Sequence, residues 1–155
     1  MYLATDHAGF ELKEKVKEFL KKDGYLVEDC GAYEFDKDDD YPDFISKAAK
    51  EVSKDPENSK AIIFGGSGQG EAIVANKYPN IRAVVYYGNG STQQPLEMIP
   101  LTREHNNANV LSLGARFISE EVALKVIKLW LDTPFSGDER HIRRIEKIKK
   151  IEQSI

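Results

Sequence analysis

The sequence predicts an α/β fold: a five-stranded parallel sheet with helices on both faces, forming three layers. Three observations predict it. Short apolar runs of strand character alternate about five times with amphipathic helical segments. Ala61-Ile62-Ile63-Phe64 and Val110-Leu111-Ser112-Leu113 are nearly continuous in apolar character, as strands buried on both faces are. No internal repeat or low-complexity linker interrupts the alternation, which predicts a parallel sheet covered on both faces.

Tyr2-Leu3-Ala4-Thr5 reads as the first strand. Leu12, Val16, Phe19 and Leu20 then fall at helical spacing, and Gly24 stops that helix. Tyr25-Leu26-Val27 begins a second strand that ends near Cys30-Gly31. After the polar, acidic segment Glu34 to Tyr41, Pro42 suits a first helical position, and Phe44, Ile45, Ala48, Ala49 and Val52 give the helix its apolar face. Ala61 to Phe64 is the third strand, followed by a glycine-rich loop and a helix carrying Ile73, Val74 and Ala75. Ile81 to Tyr86 is the fourth strand and Val110 to Gly114 the fifth. Ser119-Glu120-Glu121 opens a helix through Val122, Val126, Leu129 and Trp130, because a serine cap and early carboxylates suit a helix start. Thr133 to Gly137 breaks it, and a last helix carries Ile142, Ile145, Ile148 and Ile151, the first three expected to form its buried stripe. The 155 residues read as a single domain, with the last helix at about 137–152.

Composition narrows the function. Apolar residues make up 41% and charged residues 31%, a globular balance. No run reaches the roughly 18 apolar residues that a membrane span needs. No signal-peptide pattern follows Met1, and the single Cys30 has no partner for a disulfide, so a cytoplasmic location is expected. The net charge of −4 argues against nucleic acid as a partner. Asp36 to Asp43 is acidic and Arg140 to Lys150 basic, and both read first as solvated surface.

In such folds ligands bind beyond the carboxyl ends of the strands, at a switch in strand order. Attention therefore falls on Asp6-His7, Gly65 to Glu71, and the loops near His105 and Arg116. Gly65-Gly66-Ser67-Gly68-Gln69-Gly70-Glu71 places four glycines in six residues, more than a tight turn needs, and suits a cradle of backbone N–H groups around an anion. Two nucleotide readings fail. A P-loop requires lysine and Ser/Thr where Glu71 and Ala72 stand, and the dinucleotide fingerprint requires glycine at Glu71. A carboxylate beside amide donors suits removal of a proton next to a carbonyl, with the amides holding the enediolate oxygen. On spacing alone, Glu71 is equally well an ordinary first-turn glutamate. The helix end favours its ionised form and desolvation opposes it, and spacing does not decide between them.

Six segments in fixed order carry a resemblance over nearly the whole chain. They are Thr5-Asp6-His7-Ala8-Gly9-Phe10-Glu11-Leu12-Lys13, Asp29-Cys30-Gly31, Gly65 to Lys77, Arg103-Glu104-His105-Asn106-Asn107-Ala108-Asn109, Gly114-Ala115-Arg116 and Arg140-His141-Ile142-Arg143-Arg144-Ile145. Together they resemble the type B ribose-5-phosphate isomerases, in the wider family that includes galactose-6-phosphate isomerase. The resemblance implies a Rossmann-like sandwich, interconversion of ribose 5-phosphate and ribulose 5-phosphate through an enediolate, no metal or other cofactor, and a homodimer (a tetramer is the larger alternative) with active sites at the subunit interface. Many members carry a cysteine base at the first loop position; Gly65 stands there, so the resemblance is to the subgroup whose base is the glutamate after the loop, Glu71. Cys30 matches a different, structural position.

The remaining roles are likewise implied by the resemblance. His105 matches the ring-opening acid/base. Asp6 and Ser67 match hydroxyl contacts, and Asn106 another substrate contact. Gly66, Ser67, Gly68, Gln69 and Gly70 match the amides that hold the enediolate. Arg116, Arg140 and Arg144 match the phosphate ligands, with His7 nearby, and the C-terminal group serves the neighbouring subunit. Arg140 and Arg144 share a helix face at i, i+4. His141 and Arg143 read as surface or interface residues, and three scattered histidines give no metal-ligand spacing.

Tyr87 to Thr102 is longer than the family pattern by about seven residues, which reads as a bulged loop restricted by Pro95 and Pro100. That segment leaves two alternatives: an isomerase of hexose 6-phosphates such as allose or galactose 6-phosphate, and a sugar-phosphate binding domain without turnover.

Overall fold

The computed structural model describes residues 1–88 and 96–154. The strands are β1 (Tyr2–Thr5), β2 (Glu28–Asp29), β3 (Ala61–Gly65), β4 (Ala83–Tyr86) and β5 (Val110–Gly114). The helices are α1 (Phe10–Lys22), α2 (Tyr41–Lys54), α3 (Gln69–Ala75), α4 (Met98–Asn106), α5 (Glu120–Asp132) and α6 (Glu139–Glu152), with a 3₁₀ turn at His7–Gly9. All strands pair in parallel, in the order β2-β1-β3-β5-β4.

Successive side chains of a strand face opposite ways, and the core divides accordingly. Leu3, Ile62, Phe64, Leu111 and Leu113 point to one face, where they meet Leu12, Val16 and Leu20 of α1, Ile99 of α4, and Ala123, Val126, Ile127 and Trp130 of α5. Ala4, Ala61, Ile63 and Val110 point to the other face and meet Ile45, Ala48, Ala49 and Val52 of α2 and Ala75 of α3. Burial on both faces is why β3 and β5 read as unbroken apolar runs.

Two elements differ from the sequence expectation. The second strand is only Glu28–Asp29 at the sheet edge. Tyr25 and Val27 pack on the core from the preceding loop while Leu26 is 91% exposed. The apolar stripe of α6 is not buried: Ile142 is 41%, Ile148 45% and Ile151 61% exposed, and His141 is the buried residue of that helix. The reason is geometric. Both sheet faces are already covered by other helices, so α6 docks on α4 rather than on the sheet. The loop expected between Tyr87 and Thr102 is partly α4, with Pro100 in the first turn, where proline costs no hydrogen bond. Pro95 and the rest of 89–95 lie outside the described residues. Among the described residues no helix is long and apolar enough to cross a membrane.

Lys13 fixes α1 to the β2 edge. Its side chain is fully buried. The ammonium donates to both oxygens of Asp29 at 2.7 Å and to the Ala32 carbonyl at 2.8 Å. A buried cation is tolerated only with such partners, and removing one member of the group leaves the other charge poorly compensated. Lys13→Met is expected to lower the unfolding free energy by about 3 kcal/mol, read by chemical denaturation.

Candidate active site

Strand order reverses direction at β1 and β3. From β1 the chain crosses to β2 on one side and then returns to β3 on the other. The loops leaving these two neighbouring strands therefore diverge and leave a crevice between them. Asp6 and His7 follow β1, and Gly66 to Glu71 follow β3. Arg116 follows β5, the next strand along.

The glycine loop is fastened from below. Ala115 N–H donates to the Gly65 carbonyl at 2.8 Å, and Arg116 N–H to the Gly66 carbonyl at 3.2 Å. The buried hydroxyl of Ser112, in β5, donates to the Gly68 carbonyl at 2.7 Å. Gly68 has φ +78°, and an added Cβ would lie 3.0 Å from the Ser112 hydroxyl, so both conformation and space demand glycine there. Gln69 N–H donates to the Ser67 hydroxyl at 3.3 Å. The N–H groups of Ser67 and Gly68 have no acceptor among the described residues. The loop thus offers amide donors at the mouth of the crevice.

Glu71 is the third residue of α3, directly after Gly70, and is 4% exposed. Its carboxylate lies against Gly65, and a Cβ built on Gly65 would fall inside it. The absence of a side chain at position 65 is what makes room for the carboxylate. Burial is the dominant influence on its acidity: it raises the pKa above the ordinary glutamate value, opposed by a hydrogen bond from its own backbone N–H and assisted by the nearby negative charge of Asp6. Of the two influences left open by the sequence, desolvation wins.

Asp6 is also buried, and its Oδ1 caps the 3₁₀ turn by accepting from Ala8 N–H at 2.9 Å. His7 Nδ1 lies 2.7 Å from Asp39 Oδ1, which also accepts from the His7 backbone N–H at 3.0 Å. The hydrogen bond to Asp39 raises the His7 pKa, against burial and the Arg116 charge. Arg116 lies beside Gly66, where an added Cβ would be 3.4 Å from its Nη1. Asp6, His7 and Asp39 each place one ligand-type atom within 4.8 Å of the others. The His7–Asp39 pair and the Ala8 N–H account for that grouping.

Asp6, His7, Gly66, Ser67, Gly68, Gln69, Gly70, Glu71 and Arg116 therefore converge at one end of the sheet. His105, Asn106, Arg140 and Arg144 do not join them. His105 and Asn106 end α4, ahead of β5, whose entry is marked by Ala61 N–H donating to the Asn109 carbonyl. They stand at the amino end of the sheet, so the expectation that His105 lies beyond a strand's carboxyl end is wrong. Five strand residues, about 16 Å, separate that end from the glycine loop. Arg140 and Arg144 stand on α6 at this same far end, both exposed. There His141 stacks on His105, with ring centroids 4.3 Å apart and planes at 14°. The four predicted residues form a second cluster, remote from the first within one chain.

Four contributors escaped the sequence reading. Asp39 lies in the acidic segment read as surface, yet its side chain is 8% exposed and holds His7. Tyr41 packs its ring over Gly70, where an added Cβ would be 2.8 Å from the hydroxyl. Ser112 pins the loop, and its signal was a lone hydroxyl inside an apolar strand. Arg103 is 7% exposed and donates to Asn107 Oδ1 at 2.9 Å, the Ala108 carbonyl at 2.6 Å and the Thr133 carbonyl at 3.2 Å, bracing the turn after His105. Cys30 is buried, and burial pushes its thiol up to about 11, which keeps it unreactive.

Residues 1–148 match the family described as Ribose/Galactose Isomerase. The chain is 40% identical over 154 residues to ribose-5-phosphate isomerase B of Mycolicibacterium paratuberculosis, covering 99% of this chain and 92% of that protein. It is 37% identical over 148 residues to ribose-5-phosphate isomerase B of Escherichia coli K12, covering 96% and 93%. The crystal structure of ribose-5-phosphate isomerase B from Mycoplasma genitalium with bound ribulose-5-phosphate superposes with a TM-score of 0.92 at 35% identity, covering 99% and 96%. The chain belongs to the ribose/galactose isomerase family.

The contact between Gly65 and Glu71 can be tested directly. Gly65→Ala puts a methyl group where the carboxylate lies and is expected to cut turnover roughly 100-fold by displacing it. The fold should survive, because the displaced atoms are the end of a side chain; circular dichroism and a turnover assay read the two effects.

Proposed function

We propose that in this member of the ribose/galactose isomerase family Glu71 moves the proton between C1 and C2 of the sugar, and that His105 opens its ring. The chain is an aldose–ketose isomerase that interconverts ribose 5-phosphate and ribulose 5-phosphate. The observation that carries the Glu71 reading is a buried carboxylate seated over Gly65 beside free loop amides. A first-turn glutamate serving only its helix would lie in solvent, where the dipole contact costs no desolvation.

The chemistry follows from the groups present. In ring opening the C1–O4 bond breaks, O4 takes a proton from His105, and His105 recovers one from the C1 hydroxyl. Asp6 and Ser67 contact the sugar hydroxyls, and Asn106 makes a further contact. Glu71 then removes the C2 proton of the open aldose. The electron pair forms the C1–C2 double bond and the charge settles on O1, held by the amides of Gly66 to Gly70. A proton passes from O2 to O1, and Glu71 returns its proton to C1, leaving the ketone at C2. Arg116, Arg140 and Arg144 hold the phosphate, for which the planar guanidinium fork is well shaped, with His7 beside them.

This assignment requires two copies of the chain. Glu71 and Arg116 stand at the carboxyl end of the sheet, and His105, Asn106, Arg140 and Arg144 at the amino end. A homodimer that sets one end against the other brings the two clusters together, and the exposed Ile142, Ile148 and Ile151 give α6 an apolar face for that contact. Residues 1–155 then act as one domain whose C-terminal helix completes the partner's site. The lone, buried Cys30 fits a reducing, cytoplasmic setting.

A mixing experiment tests this division. Glu71→Gln and His105→Gln are each expected to be inactive in turnover. In a mixed dimer one of the two sites then draws Glu71 from one chain and His105 from the other. Re-association of equal amounts should restore about a quarter of wild-type activity, because half the dimers are mixed and each has one intact site. No restoration would place both residues in one chain's site and overturn the assembly.

Glu71→Gln should also abolish exchange of the substrate's C2 proton with solvent while leaving binding intact. Because burial raises the Glu71 pKa, the acid limb of kcat/KM should lie above the ordinary glutamate range, with activity falling as the base is protonated. Stability should respond in the opposite sense. The folded state prefers neutral Glu71, so wild-type stability falls as pH rises from the ordinary glutamate range through the raised value. Glu71→Gln should melt higher than wild type above that window, and the difference should vanish below it.

A further inference from the structure

His141 has no part in the proton transfers just described, yet its position is unlike that of the rest of α6. It is 2% exposed on a helix whose other described residues are half-buried or exposed. Its ring lies flat on His105, with centroids 4.3 Å apart and planes at 14°. On its edge, Nε2 lies 3.2 Å from Nε of Arg140. A guanidinium only donates, so Nε2 of His141 is the acceptor, and the ring proton sits on Nδ1. Using its Nε in this way leaves the Nη groups of Arg140 to a phosphate.

We infer that His141 is a positioning residue for ring opening: its imidazole fixes the plane of the His105 ring and fastens it to the phosphate-holding Arg140. The inference rests on the ring-opening role of His105 given above. If α6 needed only an apolar anchor, a Leu or Ile would serve, and the helix leaves Ile142 and Ile148 outside. An imidazole adds two things, a flat face for a second ring and an acceptor for a guanidinium. It also stays neutral in this place, because burial, His105 and Arg140 all disfavour its protonation against the weaker pull of Asp138, whose Oδ2 is 3.8 Å away. A neutral slab lets His105 carry a proton without a like charge stacked on it. The stack is braced from both sides. Arg103 ties the turn after His105 to the Thr133 carbonyl, and Ser136 N–H donates to the Glu104 carbonyl at 3.2 Å, so the strap leading to α6 is bonded to α4 beside the ring.

The test separates ring opening from proton transfer. Ribulose 5-phosphate cannot close a furanose ring through its phosphorylated O5, so exchange of its C1 proton with deuterated solvent needs Glu71 but not ring opening. His141→Ala is expected to lower ribose 5-phosphate turnover roughly tenfold, while ketose proton exchange stays within about twofold. His141→Phe restores a flat face and should recover most of kcat, with a raised KM because Arg140 has lost its acceptor. His141→Gln offers an acceptor without the face and should resemble His141→Ala in kcat. Thermal unfolding of each variant as the assembled oligomer shows which are folded. Equal losses in turnover and exchange, or His141→Phe no better than His141→Ala, would overturn the inference. His105→Gln run alongside keeps the two readings apart: its retained turnover would remove the ring-opening role of His105 itself, whereas its lost turnover beside a fully active His141→Ala would remove only the role of His141.

Discussion

Five strands that run the same way give the molecule two unlike ends, and the arrangement of its functional groups depends on that polarity. At the carboxyl end the loops after β1, β3 and β5 open outward and carry Asp6, His7, the glycine loop and Arg116. At the amino end the helices return, and α4 delivers His105 and Asn106 there because it must descend the full height of the sheet before β5 can begin. No rotamer change moves a group from one end to the other. Within one chain Glu71 and His105 are therefore held apart, and α6, at the amino end, keeps Ile142, Ile148 and Ile151 outside.

Within the carboxyl-end cluster, space decides chemistry. The Glu71 carboxylate takes the place that a side chain at position 65 would need, so the two cannot share it. The seat is nearly dry, and desolvation raises the carboxylate's pKa above the ordinary glutamate value. The same burial makes Glu71 a stability liability when ionised. The cost is borne by the packing beneath it, where Ser112, Ala115 and Arg116 hold the loop carbonyls. Acidity and rigidity have one origin, a short helix start pressed against a central strand.

Charge at the far end is handled differently. Arg103 is buried without a carboxylate and satisfies its guanidinium with carbonyls and an amide, while Arg140 and Arg144 stay in solvent. The first serves architecture and the others remain available to a phosphate. His141 lies between the two kinds, buried like Arg103 and bonded to Arg140.

The amino-acid sequence by itself determined the layers of this protein. Period-two and period-3.6 patterns are local, so the buried strands, α2, α5 and the glycine loop could be read from the chain, and Glu71 at the loop's end excluded the two nucleotide readings. Its ordered motifs also pointed to the family. Tertiary structure decided everything that depends on which end of the sheet a residue reaches. Spacing did not reveal that His105 and Glu71 lie about a strand's length apart, that Asp39 leaves an acidic surface run to hold His7, that the Ile142 and Ile148 face of α6 stays outside, or that desolvation outweighs the helix end at Glu71. The physical reason is common to all four. Periodicity tells which face of an element is apolar, but burial, distance and polarity at a site are properties of the elements packed around it, and those are contributed by distant parts of the chain.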